Sequence, residues 1–251
     1  MSANIIRVPY PAAAGVVGPG GVTGVQLWID ASQETGFSNG DEVSTAQDWS
    51  GNGRHATGVV FNVLKPTYRA TDGPNSMPAF RIMNEVNDQG GYFTLPNFLS
   101  GAAGHHLSVV KLDGDPQALD SHAGPPLGDW GSASSTSLYP NNPDNIIYSS
   151  WGRTTRIATV DPTPSLANWH VYEERSAAGH WSNWLNGVML FQTSTNTVAW
   201  GTAPKIGHHS VGGISTLFGM IAETVFFNRI LDSGDLAAIY AEWNDKYAFS
   251  L

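Results

Sequence analysis

Short stretches in which apolar and polar residues alternate recur along most of the chain, and Gly, Pro, Asn and Asp separate them. Alternation with a period of two puts successive side chains on opposite faces of a strand, so these stretches predict a half-buried antiparallel sheet. The predicted strands are residues 25–30, 107–112, 145–149, 155–160, 169–175 and 218–227. The last stretch is apolar almost throughout, and we therefore expect a central strand that is covered on both faces.

A hairpin is predicted over residues 181–191. Asn186 and Gly187 lie there between two apolar alternations. A type I′ turn needs positive φ at both of its central residues, and Asn-Gly tolerates this well. The two halves of the segment are therefore expected to be neighbouring antiparallel strands.

The C-terminal region has the one convincing helical pattern of the chain. Asp232 can cap the first turn and Asp235 follows three residues later, which is typical of a helix start. Apolar residues with helical spacing follow at Leu236, Ile239, Tyr240, Trp243 and Tyr247. We expect this helix to close one end of a β-sandwich.

Residues 1–24 are predicted to form an extended arm that precedes a single domain at residues 25–251. Pro and Gly in the arm disfavour a regular ladder, because Pro lacks the backbone donor and Gly costs conformational entropy. Two interpretations stay open, a flexible leader and a segment that becomes ordered against a neighbouring subunit. In the second interpretation, the anchoring side chains are Ile5, Ile6, Val8 and Tyr10.

Composition agrees with an all-β fold and excludes several function classes. Charged residues are only 13% of the 251 residues, while 28 Gly and 15 Pro favour many turns. The net charge is -9 and the 12 basic residues are scattered, so neither nucleic acid nor an anionic membrane surface is an expected partner. No apolar run approaches the roughly 18 residues of a membrane-spanning helix. Cysteine is absent, so disulfides and thiolate metal sites cannot stabilise the fold.

Five fragments occur in an order that resembles the concanavalin A-like jelly rolls of the laminin-G-like group. They are LWIDA at 27–31, DWSGNGRHA at 48–56, WLNG at 184–187, KIG at 205–207 and FGMIAETVFFNRIL at 218–231. The resemblance covers the chain from about residue 25 onward and implies a two-sheet antiparallel jelly-roll sandwich with a concave face. It does not imply a function, since that fold carries lectins, glycosidases, adhesion modules and virion proteins alike.

Carboxylates are not arranged as a glycosidase of similar fold would need them. Such enzymes place their carboxylates at alternating positions of one strand, whereas Glu173 and Glu174 are adjacent and must point to opposite faces. We interpret these two as solvated or salt-bridged strand residues. The resemblance makes Glu223 a structural carboxylate, and we expect it to accept hydrogen bonds within the sandwich. No catalytic residue is predicted, and the domain is not expected to be an enzyme.

No metal or other cofactor is predicted. Neighbouring histidines, as in the pairs at 105–106 and 208–209, diverge on a strand, so neither pair forms a transition-metal site. Calcium is the alternative, because Asp30, Asp48 and Asn52 offer oxygen ligands near turns. We favour an Asx-type turn at Asp48, which would hold the following strand.

Aromatic residues stand among short polar ones in the segment 124–156. They are Trp130, Tyr139, Tyr148 and Trp151. Exposed aromatic rings surrounded by polar side chains suit sugar rings, but the same composition serves a protein interface or a loop held by its own aromatics. All three interpretations stay open.

The combined prediction is a non-catalytic, lectin-like binding or assembly module. Its most favoured identity is a phage or virus structural protein, a capsid decoration or fibre component that forms a homo-oligomer or part of a virion shell. The first residues lack a Sec-type signal. We therefore expect a location on the virion, or otherwise outside the cell or on its surface by a route without a cleaved signal. The alternatives are a bacterial carbohydrate-binding module, with a cell-surface glycan as partner, and a glycan hydrolase or lyase.

Overall fold

The computed structural model describes residues 17–84, 89–114, 128, 137–141, 145–163, 165–209 and 216–251. The described residues form strands that pair antiparallel, together with one C-terminal α-helix. The strands are β1 Val25–Asp30, β2 Thr45–Ala46, β3 Ala56–Asn62, β4 Thr67–Arg69, β5 Ala79–Asn84, β6 Gln89–Thr94, β7 Ala103–Leu112, β8 Leu138–Asn141, β9 Ile146–Ser149, β10 Ile157–Ala158, β11 His170–Ala177, β12 His180–Leu185, β13 Val188–Thr193, β14 Lys205–Ile206 and β15 Gly219–Phe227, and the helix is α1 Ser233–Tyr247. Among these residues, no helix has both the length and the apolar composition to cross a membrane.

The large sheet folds into two layers that enclose the main core. The first layer has the order β13-β12-β11-β7-β15 with β1 beside β15, and the second contains β5, β6, β3 and β2 with β4 and β14 alongside. Leu27, Val110 and Tyr172 of the first layer share one buried cluster with Phe80 and Phe93 of the second. The predicted all-β antiparallel sandwich with a C-terminal helix is therefore confirmed. We call the face of the first layer that looks into this core the inner face.

Strand β15 is the centre of the first layer. All nine of its residues are buried, and β7 pairs with it along its whole length while β1 and β5 share its other edge. Its inner face contributes Phe226 to the main core, whereas Val225 and Phe227 belong to a second cluster on the outer face. The prediction of a central strand covered on both faces is confirmed.

The predicted hairpin is formed by β12 and β13. Asn186 and Gly187 have φ of 49° and 74°, the positive values that a type I′ turn requires. The Asn186 side chain also accepts a hydrogen bond from the backbone N–H of Val171 at 2.8 Å. The turn is thereby tied to the neighbouring strand β11.

Helix α1 starts where the sequence predicts, but it does not pack against the end of the sandwich. Asp232 caps it, and a capping box with Asp235 is complete. Its buried residues Ile239 and Trp243 lie in the outer-face cluster with Leu107 of β7. The expectation that the helix closes one end of the sandwich is therefore wrong. Since the outer face of β7, β15 and β1 is apolar, the helix covers that face.

Part of the predicted arm belongs to the folded domain. Residues 17–24 form a tight turn at Pro19–Gly21, where the backbone N–H of Gly20 donates to Glu242 of α1. Gly20 has a φ of 67°, and a Cβ there would lie 2.6 Å from the backbone of Ala238, so only glycine fits. The prediction of an extended arm is therefore wrong for residues 17–24, because contacts within the chain hold these residues in place. The predicted anchors Ile5, Ile6, Val8 and Tyr10 lie outside the described residues.

A small separate sheet lies over the inner face. It has the order β10-β9-β8, and these strands pair only with one another in the described part of the chain. Tyr139, Ile147 and Trp151 point from this region into the main core. We call residues 137–141 and 145–163 the cover. Strand β10 covers Ile157–Ala158 of the strand predicted at 155–160, and Thr159 and Val160 each share a backbone hydrogen bond with Ile147.

Candidate functional site on the inner face

Polar residues meet on the inner face where three strands lie side by side. The pairing of β7, β11 and β12 aligns His106, Glu174 and Asn183 in one row across the sheet. Residues directly opposite on paired strands have Cβ atoms about 5 Å apart, so these side chains are neighbours. All three are buried. With Tyr172, which precedes Glu174 by two positions on the same face, we call them the inner-face cluster.

The carboxyl group of Glu174 is the centre of the hydrogen bonding in this cluster. Its Oε1 accepts from Ser149 Oγ of the cover at 2.7 Å, from Tyr172 OH at 3.1 Å and from Asn183 Nδ2 at 3.3 Å. Asn183 Nδ2 also donates to Tyr172 OH at 2.7 Å. Burial and the charge of Glu174 raise the pKa of Tyr172 well above its usual range, so its hydroxyl keeps its proton and donates.

His106 lies beside this carboxyl group but bonds elsewhere. Its Nε2 is 2.8 Å from Ser108 Oγ and 3.0 Å from Thr224 Oγ1, while its Nδ1 is 3.7 Å from Glu174 Oε2. Burial lowers the pKa of His106, and Glu174 opposes that shift. Among the described residues, neither His106 Nδ1 nor Asn183 Oδ1 has a hydrogen-bond partner, although both atoms are buried. Because buried polar atoms are normally paired, the cluster has hydrogen-bonding capacity that the described residues do not use.

Two of the predicted contact residues form the roof of this cluster. The ring of Tyr139 lies 4.3 Å from that of Tyr172, centroid to centroid, and its hydroxyl is hydrogen-bonded to His170 Nε2. The Trp151 ring lies 6.1 Å from that of His106. Tyr139 is 1% exposed and Trp151 is 0% exposed. The prediction that these two rings form a surface contact is therefore wrong. Both rings are buried and anchor the cover to the inner face.

The other two predicted contact residues have different outcomes. Tyr148 is partly exposed on β9, and the guanidinium of Arg156 lies 4.6 Å from its ring centroid. It keeps its place as a predicted surface contact. Trp130 lies outside the described residues.

Glu173 points away from the inner-face cluster, as the alternation of strand residues predicts. It accepts hydrogen bonds from Arg175 Nη2 at 2.7 Å and Tyr240 OH at 3.1 Å, and it lies 3.1 Å from His105 Nε2. The salt bridge to Arg175 agrees with the sequence interpretation. Solvation does not, because Glu173 and Glu174 are both buried, one under α1 and the other under the cover.

Glu223 has the structural role that the sequence predicts. It accepts hydrogen bonds from Trp28 Nε1 at 2.8 Å, Lys246 Nζ at 2.7 Å and Tyr247 OH at 2.8 Å. These contacts join β15 to β1 and to the last turn of α1. Glu223 is thus part of the packing between helix and sheet.

Asp48 forms the predicted Asx-type turn. Its Oδ1 accepts from the backbone N–H of Ser50 at 3.0 Å and of Trp28 at 3.1 Å, and its Oδ2 accepts from Arg54 N–H at 2.8 Å. The loop is thereby fixed against β1. Within the described ranges, no group of three or more His, Asp or Glu side chains is arranged to hold a metal ion.

Solved structures with a similar fold include domains of carbohydrate-active proteins. Domain 4 of AbnA, an extracellular GH43 arabinanase from Geobacillus stearothermophilus in complex with arabinotriose, has a TM-score of 0.60 and 16% identity, over 86% of this chain and 97% of that one. Trypanosoma rangeli sialidase in complex with sialic acid has a TM-score of 0.57 and 16% identity, over 93% of this chain but 36% of that one. A GH54 α-L-arabinofuranosidase has a TM-score of 0.50 and 13% identity, over 80% and 50%. The chain therefore spans little more than a third of the length of the sialidase.

No protein-family model matches the sequence, and no curated protein matches it. Identities this low show a shared β-sandwich fold alone. The comparisons nevertheless contradict two predictions, the phage or virus structural protein and the domain that is not an enzyme. The sialidase, arabinanase and arabinofuranosidase are glycoside hydrolases, and none of the three is a virion component.

Proposed function

We propose that the chain is a carbohydrate-binding β-sandwich domain of a glycan-active protein, and that the inner-face cluster recognises the saccharide. The observation that carries this proposal is the row of His106, Glu174 and Asn183, with Tyr172 beside it, buried next to the apolar main core of the sandwich. Burying so many polar groups lowers stability unless they are paired. Polar groups kept at such a cost are typical of functional sites. The motif order further supports membership of the laminin-G-like group.

The chemistry of the cluster matches sugar hydroxyl groups. Each hydroxyl both donates and accepts, and the cluster offers a carboxyl group, a phenol, an amide and a histidine within one row. His106 Nδ1 and Asn183 Oδ1 have no hydrogen-bond partner among the described residues and can take ligand hydrogen bonds. Tyr139 and Trp151 belong to the cover and adjoin the cluster, so they can stack on the apolar face of a sugar ring held between the cover and the inner face.

The way in which the cover is attached supports access of a saccharide to the inner-face cluster. Within the described ranges, its strands pair with one another and with no strand of the large sheet. In the described part of the chain, its backbone is joined to the segment at 197–199 by Thr154 N–H to Thr197 O at 3.2 Å and by Ala199 N–H to Gly152 O at 3.3 Å. Opening the cover therefore leaves every ladder of the large sheet intact.

Calorimetric titration with arabinotriose and a set of neutral and acidic oligosaccharides tests the proposal. We expect Glu174→Gln and Asn183→Ala each to weaken saccharide binding by about 10-fold or more, because each removes a hydrogen bond to a buried ligand. Gln192→Ala is the matched control, since Gln192 is exposed on β13 and lies outside the inner-face cluster. If the cluster variants bind as tightly as the control, or if the unmodified chain binds no saccharide, the proposal is wrong.

Glycoside hydrolysis is the second candidate function. Glu174 and His106 are two groups able to exchange protons, with Oε2 and Nδ1 separated by 3.7 Å. Release of reducing sugar is measured in the same samples. Turnover that is lost in Glu174→Gln would establish hydrolysis, and binding without turnover would leave recognition as the function of the cluster.

A further inference from the structure

Arg153 is a buried guanidinium whose hydrogen bonds are incomplete. It follows Trp151 in the cover, is 4% exposed, and lies 5.0 Å from the ring centroid of Trp181 on β12. Its Nε donates to Thr155 O at 3.2 Å and its Nη2 to Thr195 O at 3.3 Å. Its Nη1 is buried and has no hydrogen-bond partner in the part of the chain that the structure describes.

Arg153 also lacks a counter-ion among the described residues. By contrast, Arg81 forms an ion pair with Asp113, and Arg175 forms one with Glu173. Burial lowers the pKa of Arg153, and no carboxylate of the described residues opposes that shift. A buried cation without a partner is costly, so a negative group that completes it would be bound favourably.

The position of Arg153 connects it to the inner-face cluster. Trp181, on which it stacks, is paired with Ser176 of β11, and Asn183 is paired with Glu174 in the next inward-facing row. Successive residues on one face of a strand are roughly 7 Å apart. The distance between Arg153 and the inner-face cluster is therefore about the length of one sugar residue, and Arg153 lies at one end of the inner face.

The free donors of Arg153 have the geometry of a carboxylate site. A guanidinium has five N–H donors, and the two backbone carbonyls occupy one on Nε and one on Nη2. Both hydrogens of Nη1 and one of Nη2 remain. This end of the guanidinium can bind both oxygens of a carboxylate in parallel, an arrangement that ammonium groups cannot reproduce.

We propose that Arg153 binds the carboxylate of an acidic sugar residue, so that the inner face recognises a saccharide with a uronic acid or similar residue at the Arg153 end. This inference rests on the proposed carbohydrate-binding function and names its ligand class. Glu174 and Asn183 then contact the hydroxyl groups of the adjoining residue. Trp181 supports the guanidinium from the opposite side.

The test compares trigalacturonate with its methyl ester, in which each carboxylate is replaced by an uncharged ester group. We expect the acid to bind the unmodified chain roughly 10- to 100-fold more tightly than the ester, the range for a charge-assisted hydrogen-bonded pair. Arg153→Gln should lose this preference and bind both ligands as the unmodified chain binds the ester. Arg153→Lys should keep part of it, because it retains the charge but not the two parallel donors.

The outcomes separate this inference from the proposed function. Equal binding of acid and ester overturns the role of Arg153 and leaves saccharide recognition standing. Absence of binding to every neutral and acidic saccharide overturns the proposed function, and both inferences fail together. The comparison of acid with ester uses the unmodified chain, so it holds even if Arg153→Gln does not fold.

A second measurement distinguishes a sugar carboxylate from other anions. Thermal melting is followed with D-glucuronate, D-glucose, sulfate and phosphate. Stabilisation by glucuronate that is absent with glucose and absent in Arg153→Gln supports the proposal. Equal stabilisation by sulfate, phosphate and glucuronate contradicts the carboxylate assignment, and no stabilisation by any anion contradicts an anion site.

Discussion

At the scale of single residues, the carboxyl group of Glu34 makes the stability of this fold depend on pH. Burial raises the pKa of Glu34 from 4.5 to about 7, against the opposing hydrogen bond from Gln47 N–H at 2.6 Å. Burial likewise raises the pKa of Glu223 to about 6. The folded state therefore holds protons that the unfolded state has released. The contribution of these two carboxyl groups to the stability of the fold is greatest below about pH 4.5, and it falls as the pH rises towards 7.

Glu34→Gln should remove much of this pH dependence. The amide keeps an oxygen for the Gln47 N–H but has no charge to bury, so we expect the variant to be more stable than the unmodified chain at pH 8, by on the order of 2 kcal/mol, and similar at pH 5. Urea unfolding at both pH values measures this. Glu42→Gln is the control because Glu42 is exposed. An unchanged difference between pH 5 and pH 8 in Glu34→Gln would contradict the argument.

At the scale of elements, the last turn of α1 is held to the sheet by one buried ammonium group. Lys246 Nζ lies 2.6 Å from Asp30 Oδ2 and 2.7 Å from Glu223 Oε2. Both carboxyl groups are fully buried and lie on β1 and β15. The same helix is capped by Asp232 at its other end. The ion pairs therefore determine where the helix lies on the outer face, while the cap determines where it begins.

Lys246→Met should destabilise the fold by about 3 kcal/mol or more, since it leaves two buried carboxyl groups without their cation. Chemical unfolding at pH 7 measures the change. Lys65→Met serves as control, because the Lys65 ammonium group donates to Ser44 Oγ at 2.9 Å at the surface and, in the described part of the chain, forms no ion pair. We expect the control to stay within about 0.5 kcal/mol of the unmodified chain. Equal effects in the two variants would show that the buried ion pairs contribute little.

At the scale of the whole molecule, the first layer is covered on both faces by different structures. Helix α1 and residues 17–24 cover its outer face, and the second layer and the cover share its inner face. The second layer is continuous with the first through β5 and β15, whereas the cover has no strand pairing with either layer among the described residues. The molecule thus joins a rigid sandwich to a separately paired cover over its polar row.

This difference should appear in amide hydrogen exchange. We expect amides of residues 145–158 to exchange at least about 10-fold faster than those of β7 and β11, because local opening of the cover breaks no ladder of the large sheet. Mass spectrometry of exchanged peptides gives both rates within one sample, with β7 as the internal reference. Protection of the cover equal to that of β7 would mean that it opens only when the whole domain unfolds.

Local chemistry in the sequence determined several elements of this protein. The turn at Asn186 and Gly187, the capping box of Asp232 and Asp235, and the Asx turn at Asp48 each depend on residues close in the chain, and each forms as predicted. Alternation along β11 was also enough to separate Glu173 from Glu174. These features need only the geometry of one strand, turn or helix end.

Tertiary structure alone decided what covers each face and which side chains meet there. The row of His106, Glu174 and Asn183 arises because β7 pairs with β11, about 60 residues later in the chain, and β11 pairs with β12. The alternation of Tyr172, Glu174 and Ser176 signals a polar face, but it does not reveal which strand lies beside it or that Trp151 lies over it. The sequence therefore determines which side chains share a face, whereas long-range pairing decides whether that face becomes surface, core or binding site.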